Sequence, residues 1–312
     1  MNDKKRILLV GSATMNLSMN IARLPAPGET LLDDGGVAYT PGGGGASAAA
    51  ALTRLGAECI LSAKLGKDLH GQKLYNYYNE LGINTSLLKV DNDFPTGLSV
   101  VIREGDGRSR TVCYPGANSN LTTENIIDAF SSQPDAVYLG FEVPFSTALS
   151  AAKIASARGI PIFIDASPAN KEHPLETLPP VEIFSPNEAE TLEYTGILPQ
   201  GSDSSLRAAL ALYRRVKCKY LVIKQGARGA FIYDGKHYDM IPAMRPDKVV
   251  DTAAAGDAFT AAMTVNYLEG GDIKEAVKFG VAAGALALSR PSSAESLPTV
   301  AEVYDFISRR SS

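Results

Sequence analysis

The apolar positions along the chain fall into two kinds of run. Short unbroken runs bounded by turn residues read as buried strands: Ile7–Val10, Ile60–Leu65, Ala136–Leu139, Pro161–Asp165, Ile183–Phe184 and Tyr220–Lys224. Between them the spacing turns helical. Gly45–Leu55 is a run of small residues that stops at Gly56, Leu69–Leu81 stops at Gly82, and Phe145–Arg158 stops at Gly159. Asn187–Tyr194 and Asp203–Val216 read as two more helices. The chain ends in three: Gly256–Glu269, Ile273–Leu288 and Thr299–Arg309. Strands that alternate with helices predict a mainly parallel sheet covered on both faces, a three-layer α/β/α fold. We expect residues 1–312 to form one domain.

Two stretches break this rhythm. Met15–Tyr39 carries Pro25, Pro27 and Gly28 among short extended pieces. Thr96–Tyr114 holds two alternating runs, Leu98–Ile102 and Ser109–Cys113, which read as a hairpin. Together, over about 13–40 and 96–114, they predict a small antiparallel sheet outside the main layer. Such a sheet acts either as a lid over a cleft or as plain decoration.

Composition narrows the function classes. The 312 residues are 45% apolar and 21% charged, ordinary for a folded chain. Thirty Lys and Arg against 34 Asp and Glu leave a net charge of −4. That balance lacks the basic footprint of a nucleic-acid binder. No apolar run is long enough to span a bilayer, and Ile7–Val10 stops at Gly11, so the expectation is a cytoplasmic protein. Cys59, Cys113 and Cys218 are far apart and odd in number, which suggests reduced thiols rather than a disulfide framework. Three histidines, none near a cysteine, give no His-based metal cluster.

The strongest chemical signal is the string Val249 to Phe259. Small residues (Ala253, Ala254, Ala255, Gly256) run straight into a helix that carries Asp257 in its first turn. Free N–H groups at a helix start can hold an anion, and small side chains let it approach the backbone. A carboxylate there would repel phosphate. It makes sense as a base taking a proton from a hydroxyl while the N–H groups stabilise a transferring phosphoryl group. The plainer reading is that Asp257 serves the helix dipole. A second signal is Pro41 to Ser47, with Gly42, Gly43, Gly44 and Gly45 opening the small-residue helix. Four glycines admit either a ligand or close helix packing. The string fits GxGxxA formally but does not follow the first strand, so a dinucleotide site is weakly supported, and no P-loop is present. Asn187 and Glu190, three apart at a helix start, would either organise water around Mg²⁺ or cap the helix. Lys224, Gln225, Gly226 and Gly229 end a strand in a glycine-bounded turn, where α/β proteins bind nucleotides.

Taken together and in order, these strings resemble the ribokinase (PfkB) family of ATP-dependent sugar kinases over about residues 6–298. The resemblance rests on Gly11-Ser12, Leu24 to Thr30, Gly42-Gly43, Tyr114 to Asn118, Pro186-Asn187-Glu188, Gly226 to Gly229 and Asp251 to Asp257. The Ala254-Ala255-Gly256-Asp257 form points to the ribokinase branch. The resemblance implies a ribokinase-like fold with a small sheet as lid. It makes Asp257 the base, with the N–H groups of Ala254, Ala255 and Gly256 as the anion hole. It puts Asn187, Lys224, Gln225, Gly226, Gly229 and Val281 along ATP, with Glu190 organising Mg²⁺. It also implies a K⁺ site at Asp251, Ala253, Ala287, Arg290, Ser292 and Ser296, and sugar contacts at Asn16, Gly42, Gly43, Gly44, Ser47 and Glu142. The sheet edges and apolar faces that such a lid exposes suggest a homodimer through it.

Departures gather at the sugar end. Ribokinases typically carry Asn-x-Asp where this chain has Thr14-Met15-Asn16, and Gly-Gly-Lys-Gly-Ala-Asn where it has Gly42 to Ser47. The expected activity is phosphorylation of a sugar's primary hydroxyl, with D-ribose first. A nucleoside, fructose or a keto-deoxy sugar acid are the alternatives. A non-catalytic sugar sensor is the rival of another class, and Asp257 speaks against it.

Overall fold

The computed structural model describes residues 4–105, 109–252, 254–290 and 296–310. The first strand shows how the fold is organised. In β1 (Arg6–Val10), Ile7 and Leu9 join one buried cluster while Leu8 and Val10 join another. Side chains alternate across a strand, so an unbroken apolar run means that both faces are covered.

The chain continues through β2 (Thr14–Ile21), β3 (Val37–Gly42), α1 (Gly44–Arg54), β4 (Glu58–Ser62), β5 (Lys64–Gly66) and α2 (Leu69–Glu80). Then come β6 (Lys89–Asp91), β7 (Gly97–Glu104), β8 (Ser109–Tyr114), α3 (Thr123–Ala129) and β9 (Ala136–Leu139). Next are α4 (Phe145–Ala157), β10 (Ile162–Asp165), β11 (Val181–Ser185), α5 (Glu188–Thr195), α6 (Ser202–Tyr213) and β12 (Cys218–Lys224). The last elements are β13 (Ala230–Tyr233), β14 (Tyr238–Ile241), α7 (Ala255–Gly270), α8 (Ile273–Leu288) and α9 (Val300–Arg310).

Eight strands form the central sheet in the order β14-β13-β12-β11-β10-β9-β1-β4. All neighbours from β12 to β4 are parallel, and β13 and β14 add an antiparallel edge. One face packs on α1, α2 and α7 to α9, the other on α3 to α6. This is the three-layer α/β/α arrangement. The helices α7 and α8 meet closely because Gly280 and Gly284 face α7; a Cβ at Gly284 would stand 3.2 Å from the Ala255 carbonyl.

The smaller sheet has the order β3-β2-β7-β8. It differs from the expected antiparallel sheet, because β2 and β7 run parallel from Thr14↔Gly97 to Ile21↔Glu104. The hairpin β7–β8 is as expected. The apolar run Ile60–Leu65 divides in two: after β4 the chain leaves the central sheet, and β5 pairs with β6 instead. The sequence reading did not include β6, α3 and the edge pair β13–β14.

Candidate active site

The site lies along the C-terminal ends of the parallel strands, where loops and helix starts converge. A cleft of about 690 Å³ runs there, lined among others by Asn187, Lys224, Gly226, Gly229, Gly256 and Val281. A small hollow of about 20 Å³ is lined by Gly44, Gly45, Glu142, Asp165, Tyr138 and Asp257. Gly256 borders the cleft and Asp257 the hollow, so the first turn of α7 serves both.

Ala254 precedes α7 as its cap, in the left-handed region at φ 60°. That geometry is uncommon for a residue with a Cβ. Ala255 and Gly256, which follow it, line the cleft, and Ala258 N–H bonds back to Ala254 O at 2.8 Å. The carboxyl of Asp257 is pushed well above the usual carboxylate range. Burial is the largest cause, then the negative charges of Asp165 and Glu142; Lys224 opposes the rise.

At the other end, Gly43 caps α1 at φ 84°, a conformation that glycine adopts without strain. A Cβ on Gly45 would stand 2.1 Å from Ser12 O, so only glycine lets the start of α1 approach the β1–β2 turn. The carboxylate of Glu142 sits at this helix start. It accepts from Gly44 N at 2.8 Å and Gly45 N at 3.4 Å, and from the Ser12 hydroxyl. The side chain of Asn16 on β2 lies against Gly42, filling the space a Cβ there would need. Ser47 bonds through its N–H to Gly43 O at 3.1 Å.

The residues expected along ATP divide. Gly226, Gly229, Lys224 and Val281 border the cleft. Gln225 does so in sequence only: its side chain is buried and donates to Pro199 O and Ser205 Oγ, away from the cleft. Asn187 and Glu190 form a reciprocal cap. Glu190 N–H donates to Asn187 Oδ1 at 2.8 Å, while Asn187 N–H and Nδ2 donate to the two Glu190 oxygens at 2.7 and 2.8 Å. Burial raises the carboxyl of Glu190, with Lys224 pulling the other way. The capping reading therefore describes the side chains.

Around the expected cation site, Ala287 O accepts from Arg290 N at 3.2 Å and Ser296 O from Arg290 Nη1 at 3.1 Å. Asp251 accepts from Arg103 of β7 at 3.3 Å. Ala253 and Ser292 lie outside the described residues. Among these, no group of three or more His, Cys, Asp or Glu side chains is arranged to hold a metal ion. That donor set fits Mg²⁺ only as an ion carried by phosphates and water, which is its usual habit.

Sequence reasoning gave Asp165 and Thr260 no role and took Ser12 only as part of the Gly11-Ser12 string. Lys224 Nζ donates to Asp165 Oδ2 at 2.8 Å and to Thr260 Oγ1 at 3.1 Å. A charged residue at the C-terminal end of a buried strand was the available signal for Asp165.

Comparison with known proteins agrees with this architecture. The chain belongs to the pfkB family carbohydrate kinases, which it matches over residues 4–300. A ribokinase from Arabidopsis thaliana is 31% identical over 301 residues, covering 94% of this chain and 78% of that protein. A ribokinase from Bacillus subtilis is 31% identical over 311 residues, 97% of this chain and all of that one. The solved structure of Arabidopsis thaliana ribokinase complexed with ribose and ATP superposes with a TM-score of 0.86 at 26% identity, covering 97% of this chain and 99% of the other. The protein is thus an ATP-dependent carbohydrate kinase, nearest to the ribokinase branch. No described helix is long and apolar enough to cross a membrane.

Proposed function

We propose that the protein transfers the γ-phosphoryl group of ATP to the terminal CH₂OH of a neutral sugar, with D-ribose to D-ribose 5-phosphate as the first candidate. The observation that carries this reading is the placement of Asp257 between the nucleotide cleft and the hollow beside Glu142. ATP lies along Gly226 to Gly229 with its base toward Val281. The N–H groups of Ala254, Ala255 and Gly256 hold the transferring phosphoryl oxygens. Asp257 takes the proton of the sugar hydroxyl, the new O–P bond forms, the bond to the β-phosphate oxygen breaks, and ADP leaves. Asp257 then returns its proton to water.

Glu142 and Asn16, with Gly42, Gly43, Gly44 and Ser47, would hold the sugar. The charge around the hollow supports a neutral acceptor. The hollow is lined by the carboxyl groups of Glu142, Asp165 and Asp257, and the nearby ammonium of Lys224 is committed to Asp165. A sugar acid would bring a further negative charge into that setting. Other neutral acceptors, a nucleoside or fructose, form the second reading, favoured by the amide at Asn16 and the bare Gly44.

Bound Mg²⁺ would neutralise phosphate charge, with Glu190 in its water shell, and K⁺ would fit at Asp251, Ala287, Arg290 and Ser296. The smaller sheet would close over the sugar and exclude water. Its exposed Val37, Tyr39, Val112 and Tyr114 support pairing with a second copy. The test is a panel of ribose, fructose, nucleosides and a keto-deoxy sugar acid with coupled ADP detection. Ribose is expected to give the highest kcat/KM. Strong turnover of the sugar acid with none on ribose would overturn the proposal.

A further inference from the structure

A buried charge pair underlies the first turn of α7. Asp165 ends β10 and Lys224 ends β12, with β11 and its small Ser185 between them. Lys224 reaches Asp165 at 2.8 Å. Thr260, one turn beyond Asp257, donates to the same Asp165 oxygen at 2.6 Å and accepts from Lys224 at 3.1 Å. The three residues are 5%, 9% and 1% exposed for Asp165, Lys224 and Thr260. A Cβ on Gly256 would stand 3.9 Å from the Lys224 ammonium. Two strands and the helix that carries the base are thus pinned at one point.

Such a pair is a poor device for stability alone. Desolvation offsets most of its attraction, and apolar residues of similar volume often do as well. We propose that Lys224 and Asp165 are positioning residues for Asp257: they fix the first turn of α7 and balance the charge around its carboxylate, instead of binding the nucleotide. This rests on Asp257 acting as the base. Tyr138 from β9, Glu142 from the loop after it and Asp165 from β10 line the hollow with Asp257, and the charges of Glu190 on α5 and Lys224 on β12 also act on it. Only Lys224 among them is cationic. Burial works against its charge, but Asp165, Glu190 and Asp257 together hold its ammonium above the ordinary lysine value. Lys224 favours the ionised, proton-accepting form of Asp257, and Asp165 disfavours it.

The pair therefore makes two opposite predictions, which a merely structural role does not. In Asp165→Asn the acid limb of the kcat–pH profile should move down by on the order of 1 unit. In Lys224→Met it should move up, with KM for ATP changed less than about threefold. The double variant, which is neutral and spares a buried unpaired charge, should return the limb close to that of the unaltered protein. If Lys224→Met fails to fold, Asp165→Asn and the double variant still decide the matter. Limbs that stay fixed or move the same way would overturn the proposal, as would an effect of Lys224→Met mainly on KM for ATP. Asp257→Asn is the control. Retained turnover there would defeat the base reading instead.

Discussion

The two ends of the cleft are built on different principles. The end proposed for phosphoryl transfer is part of the core: α7 starts on top of the sheet, pinned by Asp165, Lys224 and Thr260 and pressed by α8 through Gly284. The end proposed to hold the sugar is assembled at the boundary between core and small sheet, from Asn16, the glycine turn before α1 and Glu142. A residue such as Asp165 cannot change without disturbing a buried network, whereas a Cβ on Gly44 would meet only the Glu142 side chain, at 3.3 Å. On the proposed reading the chemistry is anchored in the core, and the sugar contacts lie at its boundary with the small sheet.

Breaking the phosphoryl end should have the largest effect. Asp257→Asn should lower kcat by about 10³-fold or more and leave ATP binding nearly intact, read by steady-state assay and calorimetry. The same change should raise the melting temperature at pH 7 by a few degrees. The sign follows from linkage. The folded state holds the Asp257 proton more tightly than the unfolded chain, so the group's stabilising share is present below the unfolded carboxylate range and lost as pH rises through the folded value. Asparagine removes that loss.

At the sugar end, Glu142→Ala should raise KM for the sugar by about 10–100-fold while KM for ATP stays within about threefold. The effect on kcat should be smaller. Next comes pH dependence: because Asp257 must be ionised to accept a proton, the acid limb of kcat should lie above the ordinary carboxylate range near 4. A limb at or below that value would dissolve the contrast in charge environment between the two ends. The smallest change is expected for Ala254→Gly, which relieves a left-handed residue and should stabilise the fold by about 1 kcal/mol in denaturant titration with little loss of turnover.

Much of this was legible in the sequence where local pattern decides structure. The strand Ala136–Leu139 and the helix Ile273–Leu288 fall where the apolar spacing places them. The parallel pairing of β2 with β7 was not legible, because partners some 80 residues apart leave no local trace. Ile60–Leu65 reads as one run since Leu61 and Leu65 are equally apolar; the departure at Ala63 depends on pairing with Lys89. Glycine-rich turns and helix starts exposed the cleft. The Asp165–Lys224–Thr260 network stayed hidden, because three polar residues ending two strands and entering a helix look ordinary until the sheet order brings them together. Gln225 shows the converse, a residue in the right string whose side chain turns into the core.

The central claim is that Asp257 presents a terminal sugar hydroxyl to the phosphoryl group held at the start of α7. The most direct test is the position of the phosphate in the product, by phosphorus and proton NMR after turnover of ATP with D-ribose. The account predicts a phosphate ester on the terminal CH₂OH, the 5-phosphate, and none elsewhere. Phosphate on the anomeric or a ring hydroxyl, or ADP release with no phosphorylated sugar, would contradict it.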